Sequence, residues 1–460
     1  MRIKHLAITT SITIFLPACG GGGGGSSSSE PVVTNPTPPS FESPHPAVWE
    51  TASASEAGFD AALLEDAFDY ALSDGYYTQG ALVIKQGKLI DEAYRGITLS
   101  EAQTMAASAA NPAAQEAAFW QDIYSDRDAS SPITSWSTAK SFTSMLIGIA
   151  IDEGHIESSS QLASDFIDEW ASDDRANITI QQLLDMRSGL VPMCSSPLTQ
   201  TTSECQDYLG ASSGGNIVFV DDQLSACIER ELATPGAAYP WIPPWQGGGY
   251  EGGQFLYSNC DTQVLGEIVY RATGQDPGLY AQQKLFEPLN ISANWWRDNV
   301  EEGQSNGNFL NYCCLDSTAR DFAKFGYMLL LGGIVTEAGT NYASYVATVL
   351  AQNELYKNQF WASCADEGVG FEDCGHILIS TRGFDGQYIL VDQLNDLVLV
   401  RTSLYEPFLN HSDERKMRFS PIAIDQSNWT GSVPMAMGGA GTEFRLEQFH
   451  SLVVAALSEG

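Results

Sequence analysis

Ser137 and Lys140 stand three residues apart, a spacing that could give a nucleophile and its base. Apolar residues recur after them at three- and four-residue intervals, which predicts a helix ending at Gly154. On such a helix both side chains lie on one face, one turn apart. A serine hydroxyl needs a base beside it, and a buried lysine can serve because burial disfavours its charged form. The pattern favours acyl-transfer chemistry; the alternative is a surface serine and lysine on a core helix.

Another polar cluster, Tyr257-Ser258-Asn259, follows a segment crowded with Pro, Gly, Tyr and Trp, Thr234–Gly253. A long aromatic loop of this kind often lines a pocket, although the same composition fits a loop packed on its own aromatics. A helical apolar pattern follows the cluster. Tyr356-Lys357-Asn358 has a similar form but lacks such a loop before it, which favours the first cluster as the functional one.

The order Ser137-Thr138-Ala139-Lys140, then Tyr257-Ser258-Asn259, resembles the serine β-lactamase and penicillin-binding-protein superfamily. It is most similar to the class C-like branch of carboxylesterases, D-amino-acid peptidases and 6-aminohexanoate-dimer hydrolases. The resemblance covers about residues 49–457 and includes the flanks Leu183–Leu190, Thr318–Gly326 and Gly386–Asp392. It implies an α+β fold, with a β-lactamase-like antiparallel sheet flanked by helices and an inserted, mostly helical domain.

The resemblance also implies roles for individual residues. Ser137 would attack the acyl carbon, and Lys140 and Tyr257 would share proton transfer. Asn259 would orient Lys140 or hold a substrate amide. The alternative for Tyr257 is a core tyrosine with a satisfied hydroxyl. This chemistry requires no metal or cofactor.

The motif expected on the strand beside the serine departs from the family pattern. Penicillin-recognising members carry Lys-Thr-Gly or His-x-Gly there, whereas this chain has Gly383-Phe384-Asp385-Gly386. The oxyanion would lie between the N–H of Ser137 and that of Gln387, which follows Gly386. An aromatic ring replaces the cation that binds a substrate carboxylate, unless Arg382 substitutes for it.

These residues predict a serine hydrolase that cleaves an ester or amide with a neutral or cationic acyl group. One alternative is a β-lactamase or D,D-carboxypeptidase, which needs a cation for the substrate carboxylate. Another is a non-catalytic envelope binding protein of the same fold. We expect specificity to come from Thr234–Gly253 and from an alanine-rich helical insertion, Glu101–Ala118.

The elements that must position these residues follow from hydrophobic periodicity. Strands are predicted near both ends of the chain and helices between them, which gives an antiparallel sheet built from the two termini, with a helical insert over about 145–300. The predicted helices are 59–72, 135–154, 178–190, a segment after Asn259, 318–331 and 444–457, and the predicted strands are 80–85, 88–90, 387–391 and 397–402.

The N-terminus reads as an export signal. Residues 1–18 combine two basic residues with a short apolar run, too short to span a bilayer. Cys19 then begins a Gly/Ser/Pro-rich tether, 19–48, before a folded domain, 49–460. The arrangement resembles a bacterial lipoprotein signal with lipidation of Cys19, and an ordinary secretory signal is the alternative. The predicted location is the cell envelope, anchored by lipid and facing the periplasm or the cell surface.

The chain has nine cysteines, and the eight besides Cys19 suggest disulfides in an exported protein. Loop closure is least costly for Cys194–Cys205 and Cys364–Cys374. The pairing of the remaining four is open: Cys227, Cys260, Cys313 and Cys314. A zinc site is the rival, but no supporting ligand spacing is found.

The formal net charge of −35 excludes the basic footprint that nucleic-acid binding needs. It also opposes electrostatic docking on anionic lipid. The expected partner is a small ester or amide substrate, with membrane contact through the lipid anchor only.

Overall fold

The computed structural model describes residues 45–108, 115–191, 222–236, 252–298, 307–335, 342–366, 368–404, 417–418 and 444–458. The predicted leader, Cys19 and nearly all of the tether lie outside the described residues. So do Cys194, Cys205 and residues 237–251 of the aromatic loop.

Helices and strands occupy the described ranges as follows. The helices are α1 (Ala61–Ala71), α2 (Leu99–Ser108), α3 (Ala117–Ile123), α4 (Ala139–Asp152), α5 (Ile180–Leu184), α6 (Gln223–Ile228), α7 (Asn259–Thr273), α8 (Pro277–Ala281), α9 (Ala319–Leu330), α10 (Ala343–Leu350) and α11 (Leu446–Ala455). The strands are β1 (Thr78–Lys85), β2 (Lys88–Tyr94), β3 (Ile133–Thr134), β4 (Ala293–Trp295), β5 (Arg297–Asp298), β6 (Leu315–Ser317), β7 (Tyr356–Lys357), β8 (Phe360–Cys364), β9 (Ile377–Gly383), β10 (Gln387–Asp392), β11 (Leu397–Ser403) and β12 (Met417–Arg418).

The central sheet joins the two ends of the chain. Its seven strands run in the order β2-β1-β11-β10-β9-β8-β7, and the neighbouring strands are antiparallel. Gln86 and Gly87 have positive φ at the β1–β2 turn, the backbone that a tight hairpin requires. The predicted α+β fold, with a sheet built from both termini, is confirmed.

Helices cover both faces of this sheet. On one face α1 packs against α11 over apolar side chains such as Phe68, Phe449 and Leu399. On the other face α9 crosses β10, β11 and β1. Gly326 permits that close approach, because a Cβ there would lie 2.5 Å from a Val398 methyl group. The core therefore has two layers of helix around one sheet.

The helices between β3 and β4 pack together beside the candidate site. α4 lies at their centre and contacts α7 and α10. Its Phe142 ring stacks on Phe325 of α9 with centroids 3.8 Å apart. Residues 139–150 of α4 are all buried, which explains why its sequence is apolar on every face apart from Lys140 and three small hydroxyl residues.

Two helices differ from their predicted bounds. The helix predicted over 135–154 begins as a 3₁₀ turn, Trp136–Thr138, before α4 takes over. The helix predicted over 178–190 ends at Leu184, and Met186 then adopts a positive φ of 52°. A residue in the left-handed region stops an α-helix, so the segment turns toward Ser188 instead of continuing. Among the described residues, no helix combines the length and apolarity that crossing a membrane would need.

Candidate active site

Ser137 sits on the short 3₁₀ turn between β3 and α4. The turn is tied to β6: the Ser135 N–H donates to the Leu315 carbonyl at 2.9 Å, and the Leu315 N–H donates to Ser135 Oγ at 2.9 Å. Trp136 has a φ of 46°, an uncommon conformation for a residue with a side chain. Ser137 is partly exposed between two buried neighbours. The fold thus presents its hydroxyl at the start of a buried helix.

Lys140 is buried beside Ser137. The side-chain Nζ lies 3.1 Å from Ser137 Oγ and donates a hydrogen bond to the Tyr312 carbonyl at 2.8 Å. Burial holds the pKa of Lys140 well below its ordinary value. A neutral amine within hydrogen-bond distance of a serine hydroxyl can take its proton. The two residues therefore have the geometry of a nucleophile and its general base.

Tyr257 lies over the same lysine. Its ring centroid is 5.0 Å from Lys140 Nζ, and its other side stacks on Trp361, with centroids 5.8 Å apart and planes 26° apart. Burial raises the pKa of the Tyr257 phenol, and a hydrogen bond with Ser137 opposes that rise. The phenol is therefore neutral near pH 7 and can donate a proton.

Asn259 is the first residue of α7. Lys140 donates to Ser137 and Tyr312. The two roles predicted for Asn259, orienting Lys140 or holding a substrate amide, stay predictions. A disulfide between Cys227 and Cys260 ties α6 to the first turn of α7, next to this residue.

The structure joins two further cysteine pairs. Cys364 bonds to Cys374, the predicted pair. Cys313 bonds to Cys314, the adjacent residue in the chain. Sequence reasoning left this second pairing open, together with that of Cys227 and Cys260.

The turn between β9 and β10 borders Ser137 on the sheet side. A Cβ on Gly383 would lie 2.2 Å from the Ser135 carbonyl oxygen, so only glycine lets the strand approach this closely. Gly386 has a φ of 90°, a conformation that glycine adopts without strain. Both glycines are needed for the turn to reach the serine.

Gln387 begins β10 and is fixed at three of its atoms. Its carbonyl accepts from Thr138 Oγ1 at 2.9 Å. Its side-chain amide donates to the Ser403 carbonyl at 2.6 Å and accepts from the Ser403 N–H at 3.0 Å. The side chain thus braces the sheet, and only the backbone of Gln387 faces the turn that carries Ser137.

Arg382 points away from the site. Adjacent residues of a strand face opposite sides of the sheet, and Thr381 is the one that faces Ser137's turn, with its hydroxyl 3.2 Å from that of Thr138. Arg382 forms an ion pair at 2.6 Å with Glu447 of α11. Phe384 is 40% exposed and its ring meets Trp136 edge to face. Arg382 therefore does not supply the missing cation.

Sequence reasoning missed two groups that touch the predicted catalytic residues. Tyr312 offers a backbone carbonyl to Lys140, and Trp361 stacks on Tyr257. Both contacts join residues far apart in the chain, and neither has a local motif that could reveal it. Among the residues that the structure describes, no group of three or more His, Cys, Asp or Glu could hold a metal ion.

A Ser-x-x-Lys pair at the start of a buried helix, facing the strands of an antiparallel sheet, defines the class of serine hydrolases of β-lactamase type. A family model described as Beta-lactamase matches residues 126–407, more than half of this chain. The chain belongs to the beta-lactamase family, which confirms the resemblance seen in the motifs.

Particular relatives refine the comparison. The chain is 25% identical over 294 residues to a 6-aminohexanoate-dimer hydrolase of Paenarthrobacter ureafaciens, covering 60% of this chain and 67% of the relative. Its fold is similar to that of a Bacillus anthracis protein assigned as a 6-aminohexanoate-dimer hydrolase, with TM-score 0.51, 18% identity and coverage of 79% and 84%. A Bacteroides dorei protein assigned as a β-lactamase gives TM-score 0.51, 16% identity and coverage of 79% and 96%.

Proposed function

We propose that this protein cleaves an ester or amide bond through an acyl-enzyme on Ser137. The observation that carries the proposal is the distance of 3.1 Å between Lys140 Nζ and Ser137 Oγ, in surroundings that bury the lysine. An ordinary surface lysine would be charged and could not accept the serine proton. A non-catalytic binding protein would have no use for a lysine kept neutral beside a partly exposed serine.

The reaction divides the work among three side chains. Ser137 Oγ attacks the acyl carbon while its proton passes to Lys140 Nζ. The oxyanion is held by backbone N–H groups of Ser137 and Gln387. Tyr257, a neutral phenol between serine and lysine, gives its proton to the leaving group and regains one from Lys140. Water then attacks the acyl carbon and gives a proton to the same groups. Ser137 Oγ leaves the acyl carbon and regains a proton, which releases the acid.

The substrate class is an ester or amide whose acyl part carries no carboxylate near the scissile bond. Arg382 is engaged by Glu447. Two pairs of aromatic rings adjoin the site: Trp136, which precedes Ser137 in the chain, with Phe384, and Tyr257 with Trp361. A flat, apolar or cationic acyl group fits such walls. The 6-aminohexanoate dimer, which the name of the Paenarthrobacter relative gives as its substrate, is the first amide to test. A β-lactam, whose carboxylate would find no cation, is disfavoured.

The same proposal includes export to the cell envelope and lipidation of Cys19, which the leader sequence supports. Expression in a bacterium fed an alkyne-bearing fatty acid tests it. The full chain should take up the label and fractionate with membranes, and Cys19→Ser should lose both properties. Label that persists in the variant would contradict lipidation at this residue.

The proposed reaction is tested by the intact mass of lipid-free protein after brief exposure to a nitrophenyl ester and, separately, to a penicillin. The ester should give an acyl adduct or turnover that Ser137→Ala abolishes. Ser130→Ala, at an exposed serine in a nearby turn, is the matched control and should behave like the wild type. Hydrolysis of 6-aminohexanoate dimer is measured in the same three proteins.

The two reagents separate the alternatives. A stable penicillin adduct would move the assignment to penicillin-binding enzymes and overturn the proposed substrate class. Absence of any reaction with either reagent would overturn the catalytic proposal and favour the binding protein. An ester adduct that survives in Ser137→Ala would place the nucleophile elsewhere.

A further inference from the structure

One short segment, Asn311–Leu315, contacts both Lys140 and the turn that carries Ser137. We call it the clasp segment. It leads into β6 and is irregular over Asn311–Cys314. Four of its backbone groups, two carbonyls and two N–H groups, bond to the turn and helix that carry Ser137 and Lys140. These bonds are Thr143 Oγ1 to the Asn311 carbonyl at 2.7 Å, Lys140 Nζ to the Tyr312 carbonyl at 2.8 Å, the Cys314 N–H to the Trp136 carbonyl at 3.3 Å, and the Leu315 N–H to Ser135 Oγ at 2.9 Å.

The middle of the clasp segment, Asn311–Cys314, lies outside any helix or strand. Outside a helix or a strand, a stretch of backbone keeps one conformation only if other constraints remove its freedom. Cys314 moreover adopts a φ of 69°, a region that residues with side chains visit rarely. The sequence must therefore supply a constraint at this point.

The Cys313–Cys314 disulfide is the covalent constraint at this point, and it adds to the hydrogen bonds of the two cysteines' backbone groups. It closes a small ring around the peptide bond between the two residues, directly after the carbonyl that meets Lys140. Both cysteines are buried, and the Cys313 carbonyl accepts from Trp295 Nε1 at 3.0 Å. The disulfide thus constrains the clasp segment covalently, while Trp295 of β4 constrains it through this hydrogen bond.

We propose that the Cys313–Cys314 disulfide is a positioning device that holds the Tyr312 carbonyl on Lys140 and keeps Lys140 in register with Ser137. The inference rests on the proposed function, because it concerns the geometry of the same nucleophile and base. The two cysteines are positioning residues, and neither touches the reacting atoms.

Opening the bridge would remove the covalent constraint and leave only hydrogen bonds to hold the backbone of Cys313 and Cys314. The Tyr312 carbonyl would then sample positions away from Lys140, and water could reach the amine. A misplacement of about 1 Å at a catalytic group can cost about a hundredfold in rate. Hydration of Lys140 would also raise its pKa toward the ordinary lysine value, because the desolvation that lowers it would be relieved.

The test compares three proteins: wild type, Cys313→Ala/Cys314→Ala, and the matched control Cys364→Ala/Cys374→Ala, which removes the disulfide across the β8–β9 connection. Each is followed by circular dichroism and by pre-steady-state acylation with a nitrophenyl ester across pH. Without the vicinal bridge we expect kcat to fall by about tenfold to about a hundredfold, KM to change little, and the acid limb of the pH profile to move to higher pH. The control should keep both kcat and the position of that limb.

A purely structural role would lower stability and leave kcat and the pH profile of the folded fraction unchanged, which would overturn the inference. If the double variant does not fold, the wild type is titrated with a dithiol, and alkylated thiols are assigned by peptide mass. Activity that falls as Cys313 and Cys314 open, while the fold persists, supports the inference. Activity retained with the bridge open, or lost only on unfolding, overturns it. Absence of acylation in the untreated wild type would instead overturn the proposed function, so the two failures are distinguishable.

Discussion

At the scale of single residues, the candidate site depends on the burial of Lys140. Its side chain is among the largest fully buried ones in the described part of the chain, and no carboxylate contributes to its pKa. A buried cation without an anionic partner is costly, so the amine releases its proton and becomes a base. The local environment therefore creates the reactivity that the side-chain type alone lacks.

Replacement of Lys140 by Met tests this base directly. Met keeps the apolar stem and removes the amine, so acylation by a nitrophenyl ester should fall by about 10²–10⁴-fold. Lys88→Met, at a lysine whose side chain is 43% exposed, is the control and should leave acylation unchanged. Acylation is followed by stopped-flow release of nitrophenol.

The wild-type pH profile gives an independent check on Lys140. Only the neutral amine accepts a proton, so acylation should be full above the pKa of Lys140 and fall as pH drops through it. Because burial lowers that pKa, the fall should occur well below pH ~10.4, the ordinary value for lysine. A rate that keeps rising to about pH 10 would show that Lys140 retains an ordinary pKa.

At this scale, contacts between residues close in the chain could be predicted from the sequence, and contacts between distant residues could not. Ser137 and Lys140 could be paired from helical spacing, because three residues make about one turn. The direction of Arg382 could not be predicted, since it depends on which residue of β9 faces the serine, and register is set by distant strands. The contact of Tyr312 with Lys140 joins residues 172 positions apart, and no local pattern encodes it.

At the scale of elements, α7 delivers Tyr257 to the site and is held by a disulfide. Cys260 lies in its first turn and bonds to Cys227 of α6, 33 residues earlier in the chain. Ser258 caps the helix by accepting from the Asp261 N–H at 3.2 Å. The start of α7, and with it Tyr257, is therefore fixed covalently as well as by the cap.

Removal of this bridge should weaken the fold and the site together. For a closed loop of this length, Cys227→Ala/Cys260→Ala should lower the free energy of unfolding by about 2–4 kcal/mol, measured by urea denaturation. In the folded variant, acylation should slow, because Tyr257 loses its fixed place over Lys140. Unchanged stability would show that the unfolded chain gains no freedom from the loss of the bridge.

Most elements of the sheet and its covering helices were predictable, and the shorter ones were not. β1, β10, β11 and α9 carry strong periodic patterns and clear turns, and each lies within a few residues of its predicted range. The helix predicted over 178–190 failed at its end, where Met186 takes a left-handed conformation. The pattern of apolar residues continued there, but the backbone did not follow it.

At the scale of the whole molecule, the net charge of −35 acts on every substrate that approaches. Its field repels anions and weakens with salt, since the Debye length is about 8 Å at 0.15 M. We therefore expect kcat/KM for an anionic nitrophenyl ester to rise as salt increases from about 10 mM to about 500 mM. A neutral ester of the same size should change little. If the ratio of kcat/KM for the anionic ester to kcat/KM for the neutral ester does not change with salt, the site is shielded from the surface charge.

The position of β11 sets the order in which this protein can be assembled. β1 pairs with β11 from Thr78–Ser403 to Lys85–Leu397, and β11 also pairs with β10. During synthesis the inner edge of β1 stays without its partner until nearly the whole chain has left the ribosome. Pairing of such distant strands makes folding slow and exposes open edges meanwhile. A chain interrupted before β11 thus yields two aggregation-prone strand edges and no smaller complete fold.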